Sequence, residues 1–250
     1  MIMVIIRSIV AQKAVLLTFY NNNSLEVSKP CVRVFFQIRG VFNPLSAETA
    51  ESKGIAEEDI LRADMYGFLA SLLRAEPSNE LLDRVASLSG DDSPIGKACG
   101  TMAKLAASID YGIIRNEYVE LFIGVGRGEV LPFASYYLTG FLNDRPLANL
   151  RGDMSAIGIK RANEVREPED HIASLFDIMA GLIRGDYGRA FSVAEQHTFF
   201  VKHIEPWGQL LMRDIEEAKT AIFFAPVGTM GRVFLEIESK AFEMDLTDRD

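Results

Sequence analysis

Apolar residues recur at helical spacing over most of this chain, and this periodicity constrains the fold more than any other feature. Between Glu57 and Arg74 they form one broad stripe, with acids at its start and an arginine at its end, the charge order that suits a helix dipole. Comparable runs, bounded by serine, glycine or proline, follow to about Phe242. Residues 46–250 are therefore predicted to form one all-α bundle of about nine or ten helices joined by short links.

Residues 1–45 do not share this pattern. They carry five basic residues against one acid, which gives +4 and leaves −13 for the remainder of a chain whose net charge is −9. Residues 1–20 are apolar but are interrupted by Arg7, Gln12 and Lys13, a poor pattern for a transmembrane span. We interpret this segment as an N-terminal extension outside the fold; a membrane-surface anchor is the alternative.

The composition excludes several classes of function. A net charge of −9 argues against a general nucleic-acid binder, which needs a basic surface to neutralise phosphates. Cys31 and Cys99 lie far apart without the spacing of a metal site or a disulfide framework, and three histidines are few for a metal enzyme. The sequence therefore predicts no metal site and a reducing compartment.

A glycine-rich bend lies between two helical runs in residues 116–137. Before the bend, Tyr118 and Phe122 share one helical face; after it, Pro132 stiffens the return and Ser135 can cap the next helix. The bend itself holds three glycines at alternate positions: Gly124, Gly126 and Gly128. A dinucleotide fingerprint needs a preceding strand and glycine instead of Glu129, and a phosphate loop needs a Gly-Lys-Ser/Thr ending; both are missing. Two interpretations stay open, a helix–loop–helix corner with core aromatics or a surface shaped to hold a ligand.

Ionisable groups are densest in Glu-Pro-Glu-Asp-His at residues 167–171. Pro168 suits the first position of a helix, and acids nearby face the positive end of the helix dipole, so the pattern fits an N-terminal cap with exposed acids. An acidic mouth for a cationic ligand is one alternative. Another is a general base at His171 supported by Asp170, although no serine or cysteine nucleophile in a recognisable setting accompanies it.

The chain's one tryptophan, Trp207, follows Pro206 and lies near His203 in the sequence. We predict that it belongs to the core. In a partly exposed groove it would instead suit an apolar peptide.

Three motifs in order resemble the TorD/DmsD/NarJ family of chaperones for molybdenum-containing oxidoreductases. The first is Glu117-Tyr118-x-x-Leu121-Phe122, continued by Gly124-x-Gly126, Pro132 and Ser135-x-Tyr137. The second is Glu167-Pro168-x-Asp170-His171, and the third is Phe200-x-x-His203-x-x-x-Trp207. Each motif is weak alone, but the ordered set is fairly specific. The resemblance covers about residues 57–242 and leaves residues 1–45 without a counterpart.

The resemblance implies a cytoplasmic, all-helical protein that is not an enzyme. Such a protein binds the twin-arginine signal peptide of a molybdopterin oxidoreductase, its apo form, or both, and delays export until the cofactor is inserted. It implies no cofactor of its own, since the molybdopterin belongs to the client, although weak guanine nucleotide binding occurs in the family. Neither stable membrane insertion nor nucleic acid is expected, and the protein is a monomer or a domain-swapped dimer.

The resemblance also implies a set of partner-binding residues. These are Glu117, Tyr118, Phe122, Pro132, Ser135, Tyr137, Glu167, Pro168, Asp170, His171 and Trp207. An acidic mouth from Glu167, Glu169 and Asp170 would meet the two arginines. A groove would take the apolar part of the peptide, lined by Tyr118, Phe122, Phe133, Tyr137 and Trp207. The alternatives are a helical enzyme or nucleotide-binding protein that uses Asp170, His171 and the glycine loop, and a structural bundle that oligomerises through its apolar surface.

Overall fold

A computed structural model of the protein describes residues 55–160 and 167–247, with side chains as far as residue 244. The predicted extension at residues 1–45 lies outside this described part, so the proposed domain boundary stays a prediction. Within it the chain forms ten α-helices: α1 (Glu57–Arg74), α2 (Asn79–Ala86), α3 (Pro94–Ser108), α4 (Tyr111–Tyr118), α5 (Ala134–Thr139), α6 (Arg145–Ala156), α7 (Ile172–Arg184), α8 (Val193–His203), α9 (Glu205–Glu217) and α10 (Phe224–Thr247). The all-α prediction is confirmed, and the described residues hold no strand beyond one isolated bridge between Phe133 and His171.

Local capping chemistry explains where several helices begin. The side-chain oxygens of Ser78 and Ser93 accept hydrogen bonds from backbone N–H groups three residues on, at 3.2 and 3.0 Å, as the sequence predicts. Ser192 and Glu195 form a reciprocal capping box. That box starts α8 at Val193.

Proline placement is compatible with the start of α10. Pro226 lies in the first turn of this helix, which begins at Phe224. A residue in the first turn has no intrahelical acceptor for its N–H, so proline fits there without a lost hydrogen bond.

The core lies between α1 and α7 on one side and α3, α9 and α10 on the other. Tyr66 of α1 meets the ring edges of Phe176 in α7 and Phe234 in α10, with centroids 5.5 and 4.7 Å apart, and all three side chains are buried. Arg62 pairs with the buried Glu238 at 2.8 Å, which ties α1 to α10. Edge-to-face aromatic packing and this buried ion pair fix one arrangement of the helices. No helix among the described residues is long and apolar enough to cross a bilayer.

Candidate functional site

The glycine bend is a tight corner that follows a π-turn. Helix α4 continues as a π-helix over Val119–Ile123, which ends where Gly124 N–H donates to the Val119 carbonyl at 2.7 Å. Gly124 has φ +61°, and a Cβ there would lie 2.0 Å from the Arg127 carbonyl oxygen. A Cβ at Gly128 would lie 2.5 Å from the backbone of Phe122. The loop backbone packs against itself, which matches the corner interpretation and leaves no phosphate cradle.

Two carboxylates of this central segment hold the link between α9 and α10. Glu117 is buried and accepts three backbone N–H bonds at the start of α10, at 2.8, 3.0 and 2.8 Å. The exposed Glu129 accepts from the N–H groups of Lys219 and Thr220 at 2.8 and 3.2 Å, and these hydrogen bonds lower the pKa of its carboxyl. Glu117 therefore caps a helix from within the interior and does not point into a groove.

The predicted apolar groove is wrong for its main members, because they lie inside the core. Tyr118 and Phe122 pack against Phe224 with ring centroids 5.7 and 5.4 Å away, and both are buried. Trp207 is 1% exposed and donates its indole N–H to the His203 carbonyl at 2.7 Å. These contacts confirm the prediction of a core tryptophan.

The other two groove residues are half-buried beside this core. Tyr137 lies 5.3 Å from Trp207 between ring centroids and donates its hydroxyl to Asp214 at 2.8 Å. Burial, followed by the hydrogen bond to Asp214, raises the pKa of Tyr137. Phe133 meets the His171 ring edge-on at 5.0 Å. Neither ring lines an open groove with the buried three.

The first two motifs meet in the structure although 35 residues separate Ser135 from Asp170. The N–H groups of Ala134 and Ile172 donate to the carbonyls of Asp170 and Pro132 at 3.0 and 2.9 Å. The Ser135 N–H donates to the Asp170 carboxylate at 2.8 Å. Buried Pro132, with no N–H of its own, thus supplies an acceptor to the start of α7. We call this interlocked region the motif junction, residues 132–135 with 170–172.

His171 is the N-cap of α7 and is 5% exposed. Its Nδ1 accepts from the Ala173 N–H at 3.1 Å. Burial, followed by the positive charge of Arg74, lowers the pKa of His171 to about 4, so the ring is neutral at pH 7. A buried ring engaged by its own helix does not have the access that a general base needs.

The predicted acidic mouth is only partly present. Glu167 is exposed and Pro168 is half-buried. Glu169 is 8% exposed and pairs with Arg151 of α6 through oxygens 2.8 and 3.1 Å away. Asp170 is fully buried, so its carboxylate does not lie at the surface with that of Glu167 as the predicted acidic mouth requires. The backbone bonds of the motif junction turn its side chain inward.

Asp170 instead borders a cavity of about 580 Å³. Apolar walls come from three helices: Ala134 and Leu138 of α5, Pro146 and Leu150 of α6, and Leu175 of α7. The polar lining includes Asp170, Asp153, Lys202 and His203. His203 lies 2.9 Å from Asp153, yet burial keeps its pKa below the ordinary value. Pockets of this size hold small ligands or a few side chains.

Two polar atoms near this cavity have no hydrogen-bond partner in the described part of the chain. They are Asp170 Oδ1 and Ser135 Oγ, both buried. An unpaired buried acceptor is unfavourable, so it favours any ligand that brings a donor. Among the described residues no group of three His, Cys, Asp or Glu could hold a metal ion.

Sequence reasoning missed the walls supplied by α6 and α8. Asp153 and Lys202 carry no motif, and their helices only become neighbours through the fold. It also missed Phe141 and Leu142, which are 72% and 47% exposed between α5 and α6. The available signal was two large apolar residues between Gly140 and Asn143, outside any helical stripe.

Comparison with known proteins gives concordant results. A family model described as nitrate reductase delta subunit matches residues 89–213, half of the chain. The chaperone protein TorD of Vibrio atlanticus is 24% identical over 202 residues, which cover 72% of this chain and 93% of that protein. TorD of Aliivibrio fischeri is 26% identical over 204 residues with the same coverage. A solved structure, described as a candidate redox enzyme maturation protein from Archaeoglobus fulgidus, is similar with a TM-score of 0.47 and 20% identity over 70% of this chain and 93% of its own.

Proposed function

This chain belongs to the nitrate reductase delta subunit family, the TorD/DmsD/NarJ chaperones of molybdoenzymes, and on that premise we propose that it is a cytoplasmic chaperone for one molybdopterin oxidoreductase. It binds the twin-arginine signal peptide of the apo-enzyme and keeps the enzyme from export until its cofactor is in place. The chaperone acts by binding alone, and the molybdopterin belongs to the client.

The observation that supports this proposal best is the surrounding of the motif junction. A cavity of about 580 Å³, whose lining includes Asp153 and Asp170, lies beside it. Leu138 lines this cavity and is exposed, and the exposed Phe141 and Leu142 follow it in the chain. A twin-arginine signal peptide has a basic region followed by an apolar region. A surface with carboxylates beside apolar side chains is complementary to that order of chemistry.

The geometry does not favour the enzyme alternative. His171 is buried and already accepts a hydrogen bond from its own helix, and backbone atoms pack closely against Gly124 and Gly128 of the loop. Arg127, the one cation of that loop, lies over the ring of Tyr136 with its guanidinium carbon 4.9 Å from the centroid. These contacts give each candidate catalytic group a structural role.

Calorimetric titration of the whole chain tests the proposal. The titrants are the twin-arginine signal peptides of the molybdopterin oxidoreductases encoded in the same genome. Each is matched with a control peptide whose two arginines are alanine. We expect one peptide to bind, and both the control substitution and raised salt to weaken the binding, because the attraction is partly ionic.

A second arm presents the same apo-oxidoreductase with its signal peptide removed. Binding of this body without any peptide binding would restrict the chaperone to recognition of the enzyme body. Absence of binding in both arms would overturn the proposal.

A further inference from the structure

Three exposed apolar side chains lie at the end of α5 and on the link from α5 to α6. We call them the α5–α6 ridge: Leu138, Phe141 and Leu142, which are 43%, 72% and 47% exposed. Helix α5 ends at Gly140, whose N–H donates to the Tyr136 carbonyl at 2.8 Å with φ +82°. This hydrogen-bonded helix end keeps the three apolar side chains exposed to solvent. Such exposure is unfavourable unless another molecule covers the side chains.

The far end of the same link is held as firmly. Asn143 has φ +58°, a left-handed conformation that asparagine tolerates better than most residues. Asp144 caps α6 by accepting from the Arg145 N–H at 2.7 Å. Phe141 and Leu142 therefore stand between two defined helix ends.

The ridge and the cavity form one continuous surface. Leu138 belongs to both, since it is exposed on the ridge and lines the cavity wall. Pro146, in the first turn of α6, lines the cavity from the other end of the link. A ligand lying on the ridge is therefore beside the cavity mouth.

A residue that lines the cavity, Asp170, lacks a hydrogen-bond donor for one of its carboxylate oxygens. Asp170 uses Oδ2 to accept from the Ser135 N–H, and its Oδ1 has no partner among the described residues. The Ser135 hydroxyl oxygen is also buried without a hydrogen-bond partner among the described residues. A guanidinium presents several N–H donors in a plane and suits a carboxylate oxygen better than a single-point donor does.

The charges around the cavity favour a cation. Lys202 lies 3.3 Å from Asp153, and Arg151 pairs with Glu169 at 2.8 Å, so each of these cations is compensated. His203 contacts Asp153 and its lowered pKa leaves it neutral at pH 7. Asp170 then remains as the one carboxylate in excess, three acids against two cations.

We propose that the α5–α6 ridge and this cavity form a two-part docking site for the partner's signal peptide. The apolar region of the peptide covers Leu138, Phe141 and Leu142, and one of its arginine side chains enters the cavity and donates to Asp170 Oδ1. This inference rests on the proposed function and assigns most of its binding site to residues outside the sequence motifs, while Asp170 and His203 are motif residues that line the cavity.

Filling the cavity tests the arginine half of the site. Gly152 lies in α6 on the cavity wall, and a Cβ there meets nothing within 4 Å, so Gly152→Leu adds a large side chain at this wall without a backbone clash and removes a helical glycine. We expect about a tenfold or greater loss of peptide affinity with an unchanged or raised melting temperature. The matched control is Ser155→Leu, an exposed position on the same helix outside the cavity lining.

Asp170→Asn gives an independent test of the same contact. The amide oxygen can still accept from the Ser135 N–H, while the amide N–H₂ group faces the incoming guanidinium. We expect affinity for the twin-arginine peptide to fall and its difference from the alanine control peptide to shrink.

Removing the ridge tests the apolar half. Phe141→Ser with Leu142→Ser should weaken peptide binding about tenfold. The control is Ile113→Ser on α4, a 56% exposed apolar residue outside both parts of the site. Binding of the peptide to the wild-type chain with equal affinity in the Gly152, Asp170 and ridge variants would overturn this inference and leave the proposed function standing. Absence of binding to the wild-type chain would overturn both the site and the peptide-binding part of the function.

Discussion

The residues of the sequence motifs and the residues of the α5–α6 ridge differ in how the fold uses them. Glu117, Tyr118 and Trp207 are buried and contact other helices, whereas Phe141 and Leu142 are largely exposed and make no part of the core. Most of the recognisable pattern therefore builds the scaffold. The surface beside it carries the chemistry that a partner would meet.

A residue of a sequence motif therefore need not be a residue that contacts the partner. Asp170 stands between the two groups, because its Oδ2 accepts from the Ser135 N–H at the motif junction and the residue also lines the cavity. Substitutions at motif residues should mainly change stability. Substitutions on the ridge should mainly change binding.

The largest effect is expected at Glu117. Glu117→Ala removes the acceptor of three N–H groups at the start of α10 and leaves them without a partner in the interior. Unsatisfied buried donors cost about 1–3 kcal/mol each, so the free energy of unfolding should fall by at least about 3 kcal/mol. Chemical denaturation measures it.

The exposed Glu129 is the matched control for Glu117, since it accepts equivalent backbone bonds at the turn before α10. Solvent can replace its carboxylate, so Glu129→Ala should cost about 1 kcal/mol or less. Equal losses at the two positions would remove the distinction between an interior cap and a surface contact.

The second effect is a pH dependence from His171. Its folded-state pKa of about 4 lies below the ordinary value of 6.5, so the unfolded chain binds a proton first as pH falls. The contribution of His171 to the free energy of unfolding is fully present above pH 6.5 and is lost as pH falls towards 4. At 1.36 kcal/mol per pKa unit, the total loss is roughly 3 kcal/mol.

The variant His171→Asn checks this assignment, because asparagine can still cap α7 but does not titrate in this range. Denaturation midpoints between pH 7 and pH 4 should decline less steeply than in the wild-type chain. His203, whose pKa is also lowered, remains to supply part of the decline. Identical slopes in both proteins would exclude His171 as a source.

The sequence was sufficient where the interactions are local. The bounds of α1, the serine caps at Ser78 and Ser93, and the all-α class depend on neighbours within a few residues. The role of Glu117 was not predictable, because its donors lie more than a hundred residues away at Phe223 and its neighbours.

The inward orientation of Asp170 was not predictable from the sequence for the same physical reason. Acids near a helix start are usually solvated, but the backbone bonds of the motif junction turn this one inward. The walls of the cavity come from helices whose proximity no local pattern encodes. Burial, rather than residue type, separates scaffold from surface in this chain.

A smaller effect is expected at the glycine corner. Gly124→Ala forces φ +61° on a residue with a Cβ and places that atom 2.0 Å from the Arg127 carbonyl, so we expect a loss of about 1–3 kcal/mol. Gly126→Ala is the control, because its φ is +90° but its Cβ meets nothing within 4 Å, and about 1 kcal/mol should be lost. Thermal unfolding separates the two; a larger loss at Gly126 would contradict the packed corner.

The smallest effect on stability is expected at the ridge, where the comparison is sharpest. Phe141 and Leu142 are 72% and 47% exposed and lie outside the core, so the double serine variant loses little packing, and its free energy of unfolding should stay within about 0.5 kcal/mol of the wild type. Denaturant titration measures this on the same samples used for peptide binding. A loss comparable to that of Glu117→Ala would mean that the ridge is part of the scaffold, and its exposure would then no longer distinguish it from the motif residues.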